Sequence, residues 1–126
     1  MQQDISSSME DYLEAIYTLT QRDHVARTRD IAKNLNVKMP SVTSALKKLS
    51  EHGLVNYDPY QYITLTDQGE KLAKQTLQKH RALTIFFQRV VALNEEMASR
   101  LACQLEHHID MKTLDKFRKA TPAEES

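Results

Sequence analysis

Two glycines, one cysteine and no tryptophan in 126 residues are what this chain has least of. So little glycine and no tryptophan argue against an all-β architecture, whose tight turns need left-handed positions. They argue equally against a Gly-rich nucleotide loop and most small α/β enzymes. A single cysteine excludes an internal disulfide framework and fits the reducing cytoplasm. No apolar run approaches the ~18 residues needed to cross a bilayer. The opening MQQDISSSMED lacks the basic and apolar blocks of a secretory signal. What is present is ordinary globular material, 40% hydrophobic and 27% charged. The length fits one domain, or a small domain with an accessory arm. The expectation is a mainly α, cytoplasmic protein with no membrane association.

The formal net charge is zero, but the charges are unevenly placed. Between Arg22 and Lys48 there are seven basic residues (Arg22, Arg27, Arg29, Lys33, Lys38, Lys47, Lys48) against two acidic ones, Asp23 and Asp30. A local field of one sign steers a polyanion whatever the total charge. Exposed helices also carry Lys and Arg for solubility alone, so charge by itself leaves both readings open.

Periodicity supplies the elements. Met9, Tyr12, Leu13, Ile16 and Tyr17 share one helical stripe, predicting a helix over Met9–Thr20. Ser7 and Glu10 stand at capping-box spacing before it. Thr28 is positioned to cap a second helix, Arg29–Leu35, and Asn36–Val37–Lys38 reads as a turn. A third helix starts near Pro40, whose fixed φ suits a first turn, and Gly53 suits its left-handed end. The runs Leu54–Tyr57 and Tyr62–Leu65 flank Asp58–Pro59–Tyr60–Gln61, a hairpin. Thr66 or Asp67 starts a long helix to about Leu93, roughly 40 Å at 1.5 Å per residue. Its apolar end (Leu83, Ile85, Phe86, Phe87, Val90, Val91) suggests a partner surface. Asn94 starts a helix to about Ile109, Asp110 caps a last one to about Lys119, and TPAEES reads as a frayed tail.

Helix, short turn, helix and two-stranded wing is the order of a winged helix-turn-helix, whose second helix enters the DNA major groove. On that helix Pro40, Ser41, Thr43 and Ser44 occupy the first turns, where short polar groups reach bases or phosphates. Lys47 and Lys48 lie one turn further, at phosphate reach. Arg27 and Thr28 open the preceding helix and can anchor a phosphate by charge and hydroxyl. Tyr57, Tyr60, Gln61 and Tyr62 of the wing are placed to touch the backbone or minor groove. The apolar set Ile31, Ala32, Leu35, Val37, Val42, Leu46 and Leu49 is needed for the core of any such tri-helical unit. With no arginine on the reading helix, recognition leans on shape, methyl contacts and phosphate positioning.

A second constellation lies in the other half. Cys103, Glu106 and His107 stand at i, i+3 and i+4 and occupy an arc of about 100° on one helix. Met97, Leu101, Leu105 and Ile109 fall opposite. A thiolate, a carboxylate and an imidazole on one face form a divalent-metal half-site. Asp11 and Glu14, also at i, i+3, are displaced from the apolar stripe of the first helix, and His80 lies on the long helix. Each fragment alone is also what a solvated helix face, or first-turn acids favoured by the helix dipole, would look like.

The segments SMEDYLEAIY, ARTRDIAKNLNVKMPSVTSALKKL, HGLVNY, ITLTDQGEKLA, KHRAL and LEHHID occur in an order and spacing that resembles the diphtheria-toxin-repressor family of metal-dependent regulators. The resemblance covers residues 8 to about 119. It implies a winged helix-turn-helix DNA-binding domain over 1–66 and a helical metal-binding and dimerisation domain over 67–126. It also implies metal ligands at Asp11, Glu14, His80, Cys103, Glu106 and His107. Asp11 and Glu14 resemble the manganese branch and Cys103 the iron branch, so Fe(II) is the first expectation and Mn(II) the second. Thr84 stands where a carboxylate is usual and Ser99 where the iron branch has a histidine, which puts a complete second metal site in question. The chain has no room for the SH3-like domain of the iron branch.

On this reading the function is metal-dependent repression by a homodimer on a near-palindromic double-stranded operator, with the metal as corepressor and no catalysis. Three other classes compete with it. They are a winged-helix regulator sensing an organic ligand, a hydrolase built on Glu106, His107 and His108, and a pure dimerisation module. The hydrolase needs an open coordination position and a substrate cleft, for which little chain remains.

Overall fold

The computed structural model describes residues 6–58 and 62–123. The order is α1 (Ser7–Asp23), α2 (Thr28–Leu35), α3 (Met39–Glu51), β1 (Val55–Asn56), β2 (Thr64–Leu65), α4 (Asp67–Arg89), α5 (Glu95–Leu105), a 3-10 turn (Glu106–His108) and α6 (Met111–Ala120). Among the described residues no helix is long and apolar enough to cross a membrane. The chain divides into two compact units, Met1–Lys74 and Gln75–Ser126. Helix α4 starts in the first and lies mostly in the second.

In the first unit, α1 starts earlier than its apolar stripe suggests. Ser6 rather than Ser7 is the cap, its Oγ accepting from Met9 N at 3.2 Å. That shift moves Glu10 out of the predicted capping box, because its own N–H is already held by Ser6 O. Helix α1 buries Tyr12, Leu13, Ala15, Ile16 and Leu19, the stripe that its periodicity marks. Arg27, not Thr28, is the N-cap of α2 and makes no side-chain cap bond; Thr28 is the first helical residue. Asn36 ends α2 in the left-handed region at φ 56°, a conformation Asn tolerates better than most residues. Pro40 sits in the first turn of α3. Gly53 follows its end at φ +71°, as the sequence predicts.

The wing pairs Val55 with Leu65 and Asn56 with Thr64, antiparallel. An additional bridge joins Ala26 to Ile63, tying the chain before α2 to the second wing strand. The sequence gives little sign of it, since one bridging residue carries no alternation. Tyr60 and Gln61, and the Pro59 of the expected turn, lie outside the described residues. The base of the wing is fastened to α4: Thr66 Oγ1 donates to Gly53 O at 2.7 Å and accepts from Gly69 N at 3.1 Å. Gly69 lies so close to the Leu54 carbonyl that any Cβ would collide with it.

Leu13, Ile16, Ile31, Val42, Leu46, Leu49, Leu54 and Ile63, all fully buried, form the core of this unit. Each contributes about 1.5–3 kcal/mol by burial. Of the apolar set expected inside, Leu35 is only half-buried and Val37 is exposed. Val37, 37% exposed, lies in the turn between α2 and α3.

The second unit has its own smaller core of Leu83, Ala102, Ile109 and Leu114, with Phe87, Leu105, Met111 and Phe117 against it. The Phe86 and Phe117 rings meet edge to face at 5.0 Å between centroids. Helix α4 ends at Arg89 rather than Leu93, and Ala92 closes the turn at φ 64°. Asn94 and Asp110 cap α5 and α6, accepting from Met97 N at 2.8 Å and Thr113 N at 2.7 Å. The apolar end of α4 divides: Leu83 is buried, while Ile85, Val90 and Val91 are exposed.

Candidate nucleic-acid interface and metal centre

The start of α3 presents Pro40, Ser41, Ser44, Lys47 and Lys48 to solvent. Thr43 is half-buried, and its hydroxyl donates to Met39 O at 3.2 Å. That bond occupies its proton and makes it a poorer donor to a base than the sequence suggests. Met39 is 46% exposed at the same end of the helix, an apolar group that a search for polar side chains passes over. A large exposed methionine beside a proline-opened helix was the available signal, since the rest of the reading helix buries its apolar residues.

Arg27 and Tyr62 come together across the wing. Arg27 Nη2 donates to Tyr62 Oη at 3.3 Å, and the guanidinium carbon lies 5.2 Å from the ring centroid. The hydrogen bond to Tyr62 and the charge interaction with it hold the Arg27 pKa above its ordinary value; Asp30 adds in the same direction, against slight desolvation. Both residues border an open groove of about 1180 Å³ that Thr28, Asn56, Tyr57 and Thr64 also line. Tyr57, expected to face a ligand, is half-buried and packs on the core.

The second unit gathers part of the predicted metal set. His80 Nδ1 lies 3.1 Å from Glu106 Oε1. The other ring nitrogen, Nε2, lies 3.3 Å from Ser99 Oγ, and Thr84 Oγ1 donates to His80 O at 2.7 Å. Ser99 and Thr84, the two positions that depart from the family pattern, thus both contact His80.

Glu106 is not on a solvated arc. Helix α5 buries Ala98 and Ala102, and the next position at that spacing is Glu106. Small alanines allow close approach, so the carboxyl is carried into the interior and its side chain is 1% exposed. Met97, placed by periodicity on the apolar side, is 40% exposed, and Leu101 and Leu105 are half-buried. Helix α5 stops at Leu105 instead of running to Ile109, and the 3-10 turn that follows carries Glu106, His107 and His108. Cys103 is exposed and His107 half-buried.

Asp11 and Glu14 stand half-buried on α1 in the first unit. Among the described residues, no three His, Cys, Asp or Glu side chains are gathered closely enough to hold an ion. The chemistry nevertheless fits a cation at Glu106. Its Oε2 is buried with no hydrogen-bond partner, and an enclosed carboxyl is costly unless paired or coordinated. An oxygen with unused lone pairs beside an imidazole is a donor set suited to divalent iron or manganese.

Comparison with known proteins bears on both halves of the chain. Residues 4–63 match the family described as iron dependent repressor, N-terminal DNA binding domain. Residues 66–121 match its metal binding and dimerisation domain. An HTH-type transcriptional regulator of Methanocaldococcus jannaschii is 42% identical over 115 residues, covering 90% of this chain and 92% of the relative. The HTH-type transcriptional regulator MntR of Lysinibacillus sphaericus is 38% identical over 110 residues, covering 87% and 78%. Among solved structures, the manganese regulator SloR superposes with a TM-score of 0.79 at 30% identity over 89% of this chain. IdeR of T. acidophilum gives 0.77 at 25% identity over 94%. The chain spans about half the length of these two solved regulators, 52% and 55%.

Proposed function

The chain belongs to the iron-dependent repressor family of metal-dependent, DNA-binding transcriptional repressors, and from that premise we propose that Fe(II), with Mn(II) as second choice, is its corepressor at metal-homeostasis genes. Members of the family regulate transcription, and this chain is not an enzyme. The hydrolase alternative therefore falls away.

The observation that carries the metal reading is the buried Glu106 carboxyl, one oxygen on His80 and the other without a partner. The proposed ligands are Asp11, Glu14, His80, Cys103, Glu106 and His107, contributed by 1–66 as reading head and 67–126 as metal-binding and dimerisation domain. Carboxylates and imidazoles suit Mn(II) and Fe(II), and the Cys103 thiolate adds the preference for the softer ion. Because that thiol ionises to bind, metal affinity falls at low pH.

Arg27, Thr28, Pro40, Ser41, Thr43, Ser44, Lys47 and Lys48 are the proposed DNA contacts. Two such heads in a homodimer engage a near-palindromic operator when their separation matches the groove repeat of about 34 Å or a multiple. A bound cation would supply the charge that draws ligands of the two domains together. The side chains then fix the heads at a workable separation. Coupling of about 1–3 kcal/mol corresponds to a 5–150-fold gain in DNA affinity.

Anaerobic titration of Fe(II) and Mn(II) into an operator-binding assay tests this. Affinity rises at least about fivefold with one of them if the proposal holds. Operator affinity that is the same with either metal or with chelator contradicts it.

A further inference from the structure

Among the described basic side chains of the reading face, Arg27 lies against an aromatic ring, and that ring, Tyr62, is 35 positions away. Lys47 and Lys48 are also exposed, but they lie on a helix whose backbone fixes where they start. Arg27 precedes α2 in extended backbone, φ −122° and ψ 153°, and its side chain makes no cap bond with the helix it opens. A long side chain leaving a loop has many rotamers, and fixing it on a ligand costs entropy at the moment of binding.

The wing removes much of that freedom. Ile63 N donates to Ala26 O at 3.0 Å, so the backbone positions next to Arg27 and Tyr62 are already joined. From that fixed base the Tyr62 ring, itself 50% exposed, lies against the guanidinium while its hydroxyl accepts from Nη2. A guanidinium has five N–H donors, and Tyr62 takes one of them. The rest remain for a phosphate.

We propose that Tyr62 is a positioning residue: it holds the Arg27 guanidinium at the edge of the wing groove, preset for a phosphate of the DNA backbone. The role rests on the DNA-binding reading above but adds to it, because it makes Tyr62, just before the second wing strand, act through Arg27 instead of through its own DNA contact. Such an arrangement contributes affinity without sequence preference, since phosphates carry no base information.

The test is a double-mutant cycle in the full-length, metal-loaded protein, measured on operator DNA across a salt series, with circular dichroism to confirm folding. Arg27→Ala lowers affinity on operator and non-operator DNA alike and reduces the salt slope by about one. Tyr62→Leu lowers affinity about two- to fivefold, and Tyr62→Phe, which keeps the ring, recovers most of that loss. In the Arg27→Ala background, Tyr62→Leu costs nothing further. NMR of the free protein gives an independent readout: the Arg27 side-chain protons are shifted upfield by the ring in the wild type and in Tyr62→Phe, and lose that shift in Tyr62→Leu.

Additive losses in the cycle, with metal-dependent binding intact, would overturn the positioning role and leave the repressor reading standing. An Arg27 signal indifferent to Tyr62→Leu would overturn it as well. Absence of DNA binding by the wild type with either metal would overturn the repressor reading and this role together.

Discussion

Replacing Glu106 by leucine separates what this side chain costs the fold from what it gives the function. The side chain is 1% exposed, and leucine, bulkier by about one methylene, opens no large cavity there. It removes a buried oxygen with no partner, worth about 1–3 kcal/mol of desolvation. It also removes the contact with His80, but that imidazole is 26% exposed and can turn to water. The balance favours leucine, and the metal-free variant should be as stable as the wild type or up to about 2 kcal/mol more stable.

Metal reverses the order. Ligand at a hundredfold excess over its dissociation constant stabilises the native state by about 2.7 kcal/mol, and the variant should forgo nearly all of it. Urea melts with and without Mn(II), followed by circular dichroism, read both quantities. A metal-free variant destabilised by more than about 2 kcal/mol would refute the claim that the orphaned oxygen is a cost. A full metal-induced shift in the variant would remove Glu106 from the site.

Three further outcomes follow from local geometry. Ala92 holds φ 64° without being glycine, so Ala92→Gly should raise stability by about 1 kcal/mol, read as a higher urea midpoint at unchanged slope. Gly69→Ala sets a methyl group against the Leu54 carbonyl, and should destabilise the first unit by about 1–3 kcal/mol or more in the same melts, because backbone cannot step aside. Asp110 has its pKa lowered by the backbone N–H of Thr113 that it caps, with Lys79 and Lys112 adding to the effect. A lowered folded-state pKa means that its contribution is present above the ordinary value of 3.8 and is lost as pH falls through the folded value. Asp110→Asn, which caps without titrating, should therefore show a shallower loss of α6 stability than the wild type in acid melts below that pH.

The fold was legible where one physical signal acts alone. The stripe of α1, Pro40 opening α3, Gly53 closing it, and Asn94 and Asp110 at their helix starts all appear as their local chemistry dictates. Capping was less secure when several candidates adjoined: Ser6 prevailed over Ser7, and Arg27 took the place expected for Thr28, because backbone direction decides which neighbour faces the free N–H groups. For the proposed metal ligands the sequence offers residue types but not their arrangement. Periodicity assumed one helix through Ile109, whereas the change to a 3-10 turn after Leu105 and the small Ala98 and Ala102 carry Glu106 inward. The bridge between Ala26 and Ile63, and the pairing of Arg27 with Tyr62 that it supports, depend on residues far apart in the chain and left no periodic trace.

The most direct measurement of the central claim is a crystal structure of the protein grown anaerobically with Fe(II) or with Mn(II), with anomalous scattering recorded at each metal edge. The account predicts an anomalous peak at Glu106, with further ligands drawn from the proposed set Asp11, Glu14, His80, Cys103 and His107. Peaks confined to surface side chains, with Glu106 still paired only to His80, would contradict it.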